Sequence, residues 1–237
     1  MSDKVDSTEK PCWNFLCSAA HDLKTPLNSI IGFGDMLRRE GTELQQKMAS
    51  HVYDNGQNLL NMLNRIIEYS KMATGIFSLV PVETDLLAEI ACCIEDIDPG
   101  GRVKTEYNID KRPFVTDPHV LRRILSELIS NALSFSPELS EVKVSVSWEN
   151  TEPGKEVLRI EVRDSGPVIP QEKLPEIFRP GGKAGMYAQG YKEGLGLGLA
   201  YASASAVKLN GYISAISAPE GEGNIFSLLV GQLSNQG

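Results

Sequence analysis

A histidine and an aspartate stand side by side on a long helical pattern in the first third of the chain. His21 and Asp22 belong to the stretch AHDLKTPL, residues 20–27, which Pro26 interrupts. A neutral imidazole nitrogen is a competent nucleophile near pH 7, and an adjacent carboxylate can hold its tautomer and accept its proton. Taken alone, the pair is more simply explained as a surface histidine that forms a salt bridge with its neighbour.

A carboxylate, an amide and an aromatic side chain recur at helical spacing in LRRILSELISNALSFS, residues 121–136. Glu127, Asn131 and Phe135 are four residues apart, so they share one face of the predicted helix. A carboxylate and an amide oxygen at this spacing suit a hydrated magnesium ion and its phosphates. A solvated glutamate and an unrelated asparagine would give the same pattern, so the pair alone decides nothing.

A carboxylate followed by a tight turn occurs in RDSGPVIP, residues 163–170. Asp164 ends a β-branched strand pattern, and Gly166 and Pro167 turn the chain immediately afterwards. A carboxylate at this place can accept a hydrogen bond from a ligand amine that approaches the backbone closely. An ordinary turn has the same composition.

Glycines alternate with leucines at Gly194, Gly196 and Gly198, directly before a predicted helix. Backbone amides and the helix N-terminus can therefore face an anion while the leucines anchor the loop. Further glycines between residues 181 and 190 favour a flexible segment that could close over a nucleotide. A short run of alternating glycines is a weak motif by itself.

The elements that must position these residues fall into two groups. Apolar residues at helical spacing from Trp13 to Met72 predict a helical hairpin that turns at Gly41. Two helices bury little surface, so we expect a dimeric four-helix bundle. Beyond Gly75, extended and helical patterns alternate, including a helix from His119 to Phe135, and predict a mixed sheet covered by helices, an α/β two-layer sandwich. The predicted division is a tail at 1–12, a hairpin at 13–76, a linker at 77–82, an α/β domain at 83–233 and a tail at 234–237.

Composition limits the classes of partner. The chain has 237 residues and a formal net charge of −8, which argues against binding to nucleic acid. The sequence contains no apolar run long enough to cross a bilayer and begins with no secretory signal, so we expect a cytoplasmic location. The four cysteines have no redox or zinc spacing.

The motifs, in this order and over residues 13–231, resemble those of the sensor histidine kinases of two-component signalling. The resemblance implies a Bergerat-type ATP-binding fold behind the hairpin, of the kind found in gyrase B and the heat-shock ATPase chaperones. The matching stretches are AHDLKTPL with the phosphoacceptor box, ELISNALSFSP with the asparagine box, DSGPVIP with the first glycine box, IFRP with the phenylalanine box and GLGLGL with the second glycine box.

The resemblance implies a role for each matching residue of the first motif. His21 would be the phosphorylated residue, and Asp22 would manage its proton. Thr25, one turn later, would orient a water molecule that removes phosphate from the partner regulator. Pro26 removes one helical hydrogen bond, and we expect it to loosen the helix there.

The resemblance also implies an ATP site with magnesium. Asn131 would hold the metal, with Glu127 as a second ligand or a base, and Asp164 would bind the adenine amine. The implied nucleotide-binding residues are Asn131, Phe135, Asp164, Gly166, Phe178, Lys192, Gly194, Gly196 and Gly198.

Four positions depart from the family pattern. Glu127 stands where a second asparagine is usual, as in the gyrase and chaperone ATPases, where the glutamate activates water. Ser134 replaces a frequent lysine, for which Lys183, Lys192 or Arg179 could substitute. Val168 replaces a glycine, and Asn224 stands where a threonine is usual.

Three functions remain open on the sequence. The favoured hypothesis is a homodimeric, ATP-dependent protein-histidine kinase that passes phosphate from His21 to an aspartate of a response-regulator receiver domain, with phosphatase activity towards that regulator. A signalling scaffold with a decayed ATP site is the alternative, and a chaperone-like ATPase is a third.

Overall fold

The computed structural model describes residues 9–74, 77–152, 155–182, 196–218 and 223–234, with helix placement only, and no side chains, for residues 9–22. The chain divides into two compact units, Met1–Phe77 and Ser78–Gly237. Within the described residues, no helix is long and apolar enough to span a membrane.

The first unit is a helical hairpin. It consists of α1, Glu9–Glu40, and α2, Glu43–Thr74. Gly41 lies in the turn, where its N–H donates to the carbonyl of Leu37 at 2.9 Å. The Oε1 atom of Gln45 accepts from the backbone N–H and the hydroxyl of Thr42, both at 2.9 Å, and so closes the start of α2. The predicted turn at Gly41 is confirmed.

Close packing joins the two helices. Leu27, Ile31 and Leu63 form a buried cluster, against which Tyr53, Leu60, Ile66 and Ile67 pack. A Cβ atom on Gly56 would lie 2.7 Å from Cγ1 of Ile31, so glycine permits this approach. Helix α1 continues through Pro26, which therefore does not end it.

The second unit is a mixed sheet with helices on one face. Its five-stranded sheet has the order β2-β4-β5-β7-β6, in which β2 and β4 are parallel and the other neighbours are antiparallel. The strands are β2, Val103–Asn108; β4, Val142–Glu152; β5, Lys155–Arg163; β6, Tyr212–Ser217; and β7, Asn224–Val230. The remaining elements are β1, Val82–Thr84; α3, Leu86–Ile97; β3, Phe114–Thr116; α4, Pro118–Phe135; a 3₁₀ turn, Gln171–Lys173; and α5, Gly198–Lys208.

Helix α4 lies at the centre of this unit. The side chain of Asp117 caps its start by accepting from the N–H groups of His119 and Val120 at 3.0 and 3.1 Å. One face of the helix is fully buried. Burial of each apolar side chain on it stabilises the fold by roughly 1.5–3 kcal/mol. That face consists of Leu121, Ile124, Leu125, Leu128 and Ile129.

The predicted fold class, a helical hairpin followed by a helix-covered mixed sheet, is confirmed. One feature was not predicted, namely that β1 pairs with β3 in a separate two-stranded sheet. Asp85 caps the start of α3, with its Oδ1 accepting from the N–H of Ala88 at 3.2 Å.

Candidate functional site

Asp164 follows directly after β5 and is buried, with 3% of its surface exposed. Its Oδ1 atom accepts from the N–H of Gly166 at 2.8 Å and from the N–H and Nδ2 of Asn224 at 3.0 and 3.1 Å. Its Oδ2 atom has only a longer bond from Asn224 Nδ2, at 3.4 Å, within the part of the chain that the structure describes. Oδ2 therefore keeps capacity to accept a hydrogen bond from a ligand.

The electrostatics of Asp164 follow from this setting. Burial raises the pKa of the carboxyl group, because a charge is poorly solvated there. The hydrogen bonds from Gly166 and Asn224 act in the opposite direction and favour the ionised form. A buried carboxylate held rigidly by three donors is pre-organised for recognising an amine.

Asn224, the first residue of β7, ties the turn after β5 together. Besides its bonds to Asp164, its Nδ2 donates to the carbonyl of Pro167 at 3.0 Å, and its Oδ1 accepts from the N–H of Ile169 at 2.9 Å. Sequence analysis noted Asn224 only as a departure from the family pattern. The signal that could have revealed this role is a polar residue at the start of the apolar run NIFSLLV.

The end of α4 meets the same turn. A Cβ atom on Gly166 would lie 3.1 Å from the carbonyl oxygen of Phe135 and 3.2 Å from its Cβ. The N–H of Ser165 donates to the hydroxyl oxygen of Ser136 at 3.0 Å. The structure therefore brings together Phe135, Asp164 and Gly166, three of the residues that the sequence singled out.

Glu127 and Asn131 lie on α4 as the spacing predicts, but in different environments. Asn131 is half-buried, whereas Glu127 is only 5% exposed. Oε1 of Glu127 is 3.2 Å from Nη2 of Arg123, and that guanidinium lies 5.7 Å from the ring centre of Tyr201 on α5. The explanation of Glu127 as a solvated surface residue is therefore wrong.

The donor set bears on whether a magnesium ion fits here. The described residues contain no group of three or more histidine, cysteine, aspartate or glutamate side chains that could hold a metal. An amide oxygen at Asn131 suits a magnesium ion that keeps waters and takes most other ligands from phosphates. Glu127 would have to leave Arg123 before it could bind the ion directly.

The second glycine motif is described in part. Gly196 has a φ of +63°, and the N–H of Gly181 donates to its carbonyl at 3.1 Å. Gly198 begins α5, whose N-cap residue is Leu197, a side chain without an acceptor. The first-turn amides of α5 thus receive no bond from their own N-cap side chain. Lys183, Lys192 and Gly194 lie outside the described residues.

Two further predicted positions lie near the 3₁₀ turn. Phe178 is half-buried and follows the buried Ile177, and Arg179 is exposed. Within the described segments, the side chains of Phe178 and Arg179 form no hydrogen bond or ion pair with the turn after Asp164.

His21, Asp22 and Thr25 lie on α1, in the other compact unit. Thr25 is exposed, and its carbonyl accepts from the hydroxyl of Ser29 at 3.3 Å. The side chains of His21 and Asp22 lie outside the described part. Thr25 is four residues beyond His21 in the same helix, so the two positions share a face.

Two family models match the chain and together take in most of it. Residues 14–75 match the His Kinase A (phospho-acceptor) domain. Residues 116–232 match the histidine kinase-, DNA gyrase B- and HSP90-like ATPase family. Each of the two ranges lies within one of the two compact units of the fold.

Known proteins resemble the chain over nearly its whole length. Two-component system protein A of Emericella nidulans is 29% identical over 90% of this chain and 32% of its own length. The aerobic respiration control sensor protein ArcB of Escherichia coli is 31% identical over 96% of this chain and 30% of its own length. The chain thus spans about a third of the length of these relatives.

Solved structures share the fold. Full-length ShkA, in complex with AMPPNP, has a TM-score of 0.76 and 20% identity, over 93% of this chain and 46% of its own. Acinetobacter baumannii histidine kinase AdeS has a TM-score of 0.57 and 21% identity, over 90% of this chain and 98% of its own.

Proposed function

This chain belongs to the sensor histidine kinases, and from that membership we propose that it binds ATP and autophosphorylates His21. The phosphoryl group then passes to an aspartate of a response-regulator receiver domain. The second unit supplies the nucleotide site and the first supplies the acceptor helix.

The observation that carries the proposal is the buried carboxylate of Asp164. Its Oδ1 atom is saturated by three donors, which leaves Oδ2 for a ligand amine, and the adenine ring of ATP offers such an amine. Gly166, which packs closely against Phe135 and Asp164, would admit the base at this turn. The related structure with AMPPNP, an ATP analogue, supports the same choice of ligand.

The phosphates would reach the glycines at and before the start of α5. Gly194, Gly196 and Gly198 give backbone amides, and the helix N-terminus adds a partial positive charge. Lys192 would supply a cation in place of the lysine that Ser134 replaces. Phe178 would pack at the base of this segment.

Asn131 would hold a magnesium ion through its amide oxygen. When bound, the ion neutralises charge on the β- and γ-phosphates and aligns them for transfer. Glu127 would act as a ligand through water while it remains paired with Arg123, or as a base once that ion pair opens.

The transfer itself conserves charge and atoms. A ring nitrogen of neutral His21 attacks the γ-phosphorus of ATP in line, the bond to the β,γ-bridging oxygen breaks, and ADP leaves. Asp22 holds the imidazole tautomer and takes the ring proton. A carboxylate of the receiver domain then attacks the phosphorus and releases His21. Thr25 orients a water molecule for a second reaction, the hydrolytic removal of phosphate from that regulator.

The hairpin would act as a homodimer. Several apolar side chains remain at least half exposed on its surface, which a second copy would cover in a four-helix bundle. They are Leu23, Ile30, Phe33, Met36, Leu37, Leu44, Met48 and Leu59.

Labelled ATP tests the proposal directly. The chain incubated with γ-labelled ATP and magnesium should acquire label that is labile in acid and stable in base, as a phosphohistidine is. His21→Ala should abolish the label. His51→Ala, an exposed histidine on α2, is the matched control and should keep it.

Three other results would contradict the proposal. Label that persists in His21→Ala would remove His21 as the acceptor. A parent chain that binds no ATP analogue would favour the scaffold, which the retained Asp164 network argues against. Phosphate release that survives His21→Ala and disappears in Glu127→Ala would instead support the chaperone-like ATPase.

A further inference from the structure

Arg102, immediately before β2, places all three nitrogens of its guanidinium group on backbone carbonyls of one distant segment. Nε donates to Ser140 at 3.2 Å, Nη1 to Leu133 at 3.3 Å and Nη2 to Pro137 at 2.8 Å. These carbonyls lie between 31 and 38 residues away along the chain. A planar fork of donors suits such a convergent set of acceptors, whereas an ammonium group does not.

The segment that Arg102 holds is the C-terminal end of α4, at Leu133, together with the turn that follows it, at Pro137 and Ser140. The last turn of a helix leaves carbonyls without intrahelical partners and carries a partial negative charge. Helix α4 has no basic residue in its own last turn. Ser136 N–H satisfies the carbonyl of Ala132 at 3.0 Å, and Arg102 satisfies that of Leu133. A cation from another element therefore completes this helix end.

The same helix end supports the ligand-binding turn. Ser136 accepts the N–H of Ser165 through its hydroxyl oxygen, and Phe135 packs against Gly166. Asn131 lies one turn earlier on α4. A shift of residues 133–137 would therefore move both Asn131 and the backbone that carries Asp164.

We propose that Arg102 is a positioning residue for nucleotide binding, which fixes the end of α4 so that Asn131 and the Asp164 turn keep their spacing. The inference rests on the proposed function as far as nucleotide is concerned. In this proposal Arg102 acts through the carbonyls that it holds rather than through a contact with phosphate or base.

Amide hydrogen exchange tests the structural link without any nucleotide. Arg102→Met should increase exchange at Ser136, Ser165 and Gly166, whose N–H groups depend on the held segment. Exchange at Leu228, buried in β7, serves as the internal reference for global unfolding. Arg159→Met is the matched control, because Arg159 is similarly half-buried but pairs with Glu149 and Glu161 on the sheet.

Binding of an ATP analogue with magnesium gives the second measurement. Arg102→Met should weaken affinity by about tenfold and raise the KM for ATP, with kcat at saturating ATP kept within about twofold. Arg102→Lys should recover part of the affinity, since one ammonium group reaches only some of the carbonyls. Arg159→Met should bind as the parent does.

The outcomes separate this inference from the proposed function. Unchanged exchange at Ser165 and Gly166 in Arg102→Met, or an equal increase in Arg159→Met, overturns the role of Arg102. Parent-like affinity in Arg102→Met overturns it as well. If the parent chain itself binds no nucleotide, the proposed ATP site fails, and the exchange measurement still decides whether Arg102 holds the turn.

Discussion

The chemistry of Asp164 depends on which of its oxygens is occupied. Asn224 and Gly166 saturate Oδ1 and orient the carboxylate, so Oδ2 is the atom left for a ligand. Burial raises the pKa of Asp164, and the surrounding donors limit this effect. The ionised carboxylate of Asp164 therefore lowers the stability of the fold, but it keeps a charged acceptor for ligand recognition. Such a balance is common at functional sites.

The pH dependence of binding follows from this pKa. An adenine amine needs the ionised carboxylate as acceptor, so nucleotide affinity should fall as the pH drops through the raised pKa of Asp164. Asp164→Asn puts a donor amide where an acceptor is needed and should weaken binding by about 100-fold. Asp110→Asn, an exposed carboxylate, should leave the affinity unchanged. Calorimetric titration across the acidic range measures both effects.

The contribution of Asp164 to the free energy of unfolding should change with pH in the opposite direction to the nucleotide affinity. The folded state holds the Asp164 proton more tightly than the unfolded chain, whose carboxyl has a pKa near 3.8. That contribution is complete below 3.8 and is lost as the pH rises through the folded pKa. Asp164→Asn should therefore be at least as stable as the parent at neutral pH, with an advantage that shrinks on acidification. Urea unfolding that shows a large loss at neutral pH would contradict this.

At the scale of elements, the site is a junction between the end of α4, the turn after β5 and the start of β7. Gly223, directly before β7, has a φ of +87°, and a Cβ there would collide with the carbonyl of Asp164. The close contact between Gly223 and the Asp164 carbonyl thus sets the position from which Asn224 bonds to Asp164. A glycine is required here for both the backbone conformation and the contact.

Gly223→Ala should destabilise the chain by about 3 kcal/mol or more, because backbone strain adds to a steric clash that only backbone movement relieves. It should also weaken binding of an ATP analogue by displacing Asp164. Gly101→Ala is the control, since Gly101 has a φ of +71° with no atom near the added Cβ. It should cost only the strain, about 1 kcal/mol. Equal losses in urea unfolding would show that the Asp164 contact contributes nothing.

The helices and strands themselves were largely predictable. Helix α4, Pro118–Phe135, follows from its apolar period and from an N-cap aspartate, Asp117, before a proline. The β1–β3 pair was missed because β3, Phe114–Thr116, is too short to show a period. Its partner strand is β1, and the paired residues Val82 and Thr116 are 34 residues apart with no turn signal nearby.

At the scale of the molecule, two compact units carry different parts of the proposed chemistry. The hairpin buries a small cluster around Leu27, Ile31 and Leu63 and leaves other apolar side chains exposed. Exposed apolar side chains in such number are typical of an interaction surface. This is the physical basis for expecting a second copy.

A charged substitution on that surface tests the dimer. Ile30 and Leu37 are 50% and 51% exposed and lie seven residues apart, on one face of α1. Ile30→Glu combined with Leu37→Glu should shift the chain to monomer by light scattering, with an apparent dissociation constant raised at least ~100-fold. Leu139→Glu, on a residue 99% exposed in the second unit, should leave the mass unchanged. A parent chain that is monomeric at all concentrations would contradict the bundle.

The sequence by itself determined the order of elements, the division into hairpin and mixed sheet, and the identity of Asp164, Gly166 and Asn131 as candidates. It could do so because helical and strand periods, caps and turns act over a few neighbouring residues. The tertiary structure decided which atoms meet: Asn224 with Asp164, 60 residues apart, and Arg102 with the end of α4. It also showed Glu127 buried beside Arg123 rather than solvated. Such pairings depend on packing across the sheet, which no local pattern along the chain specifies.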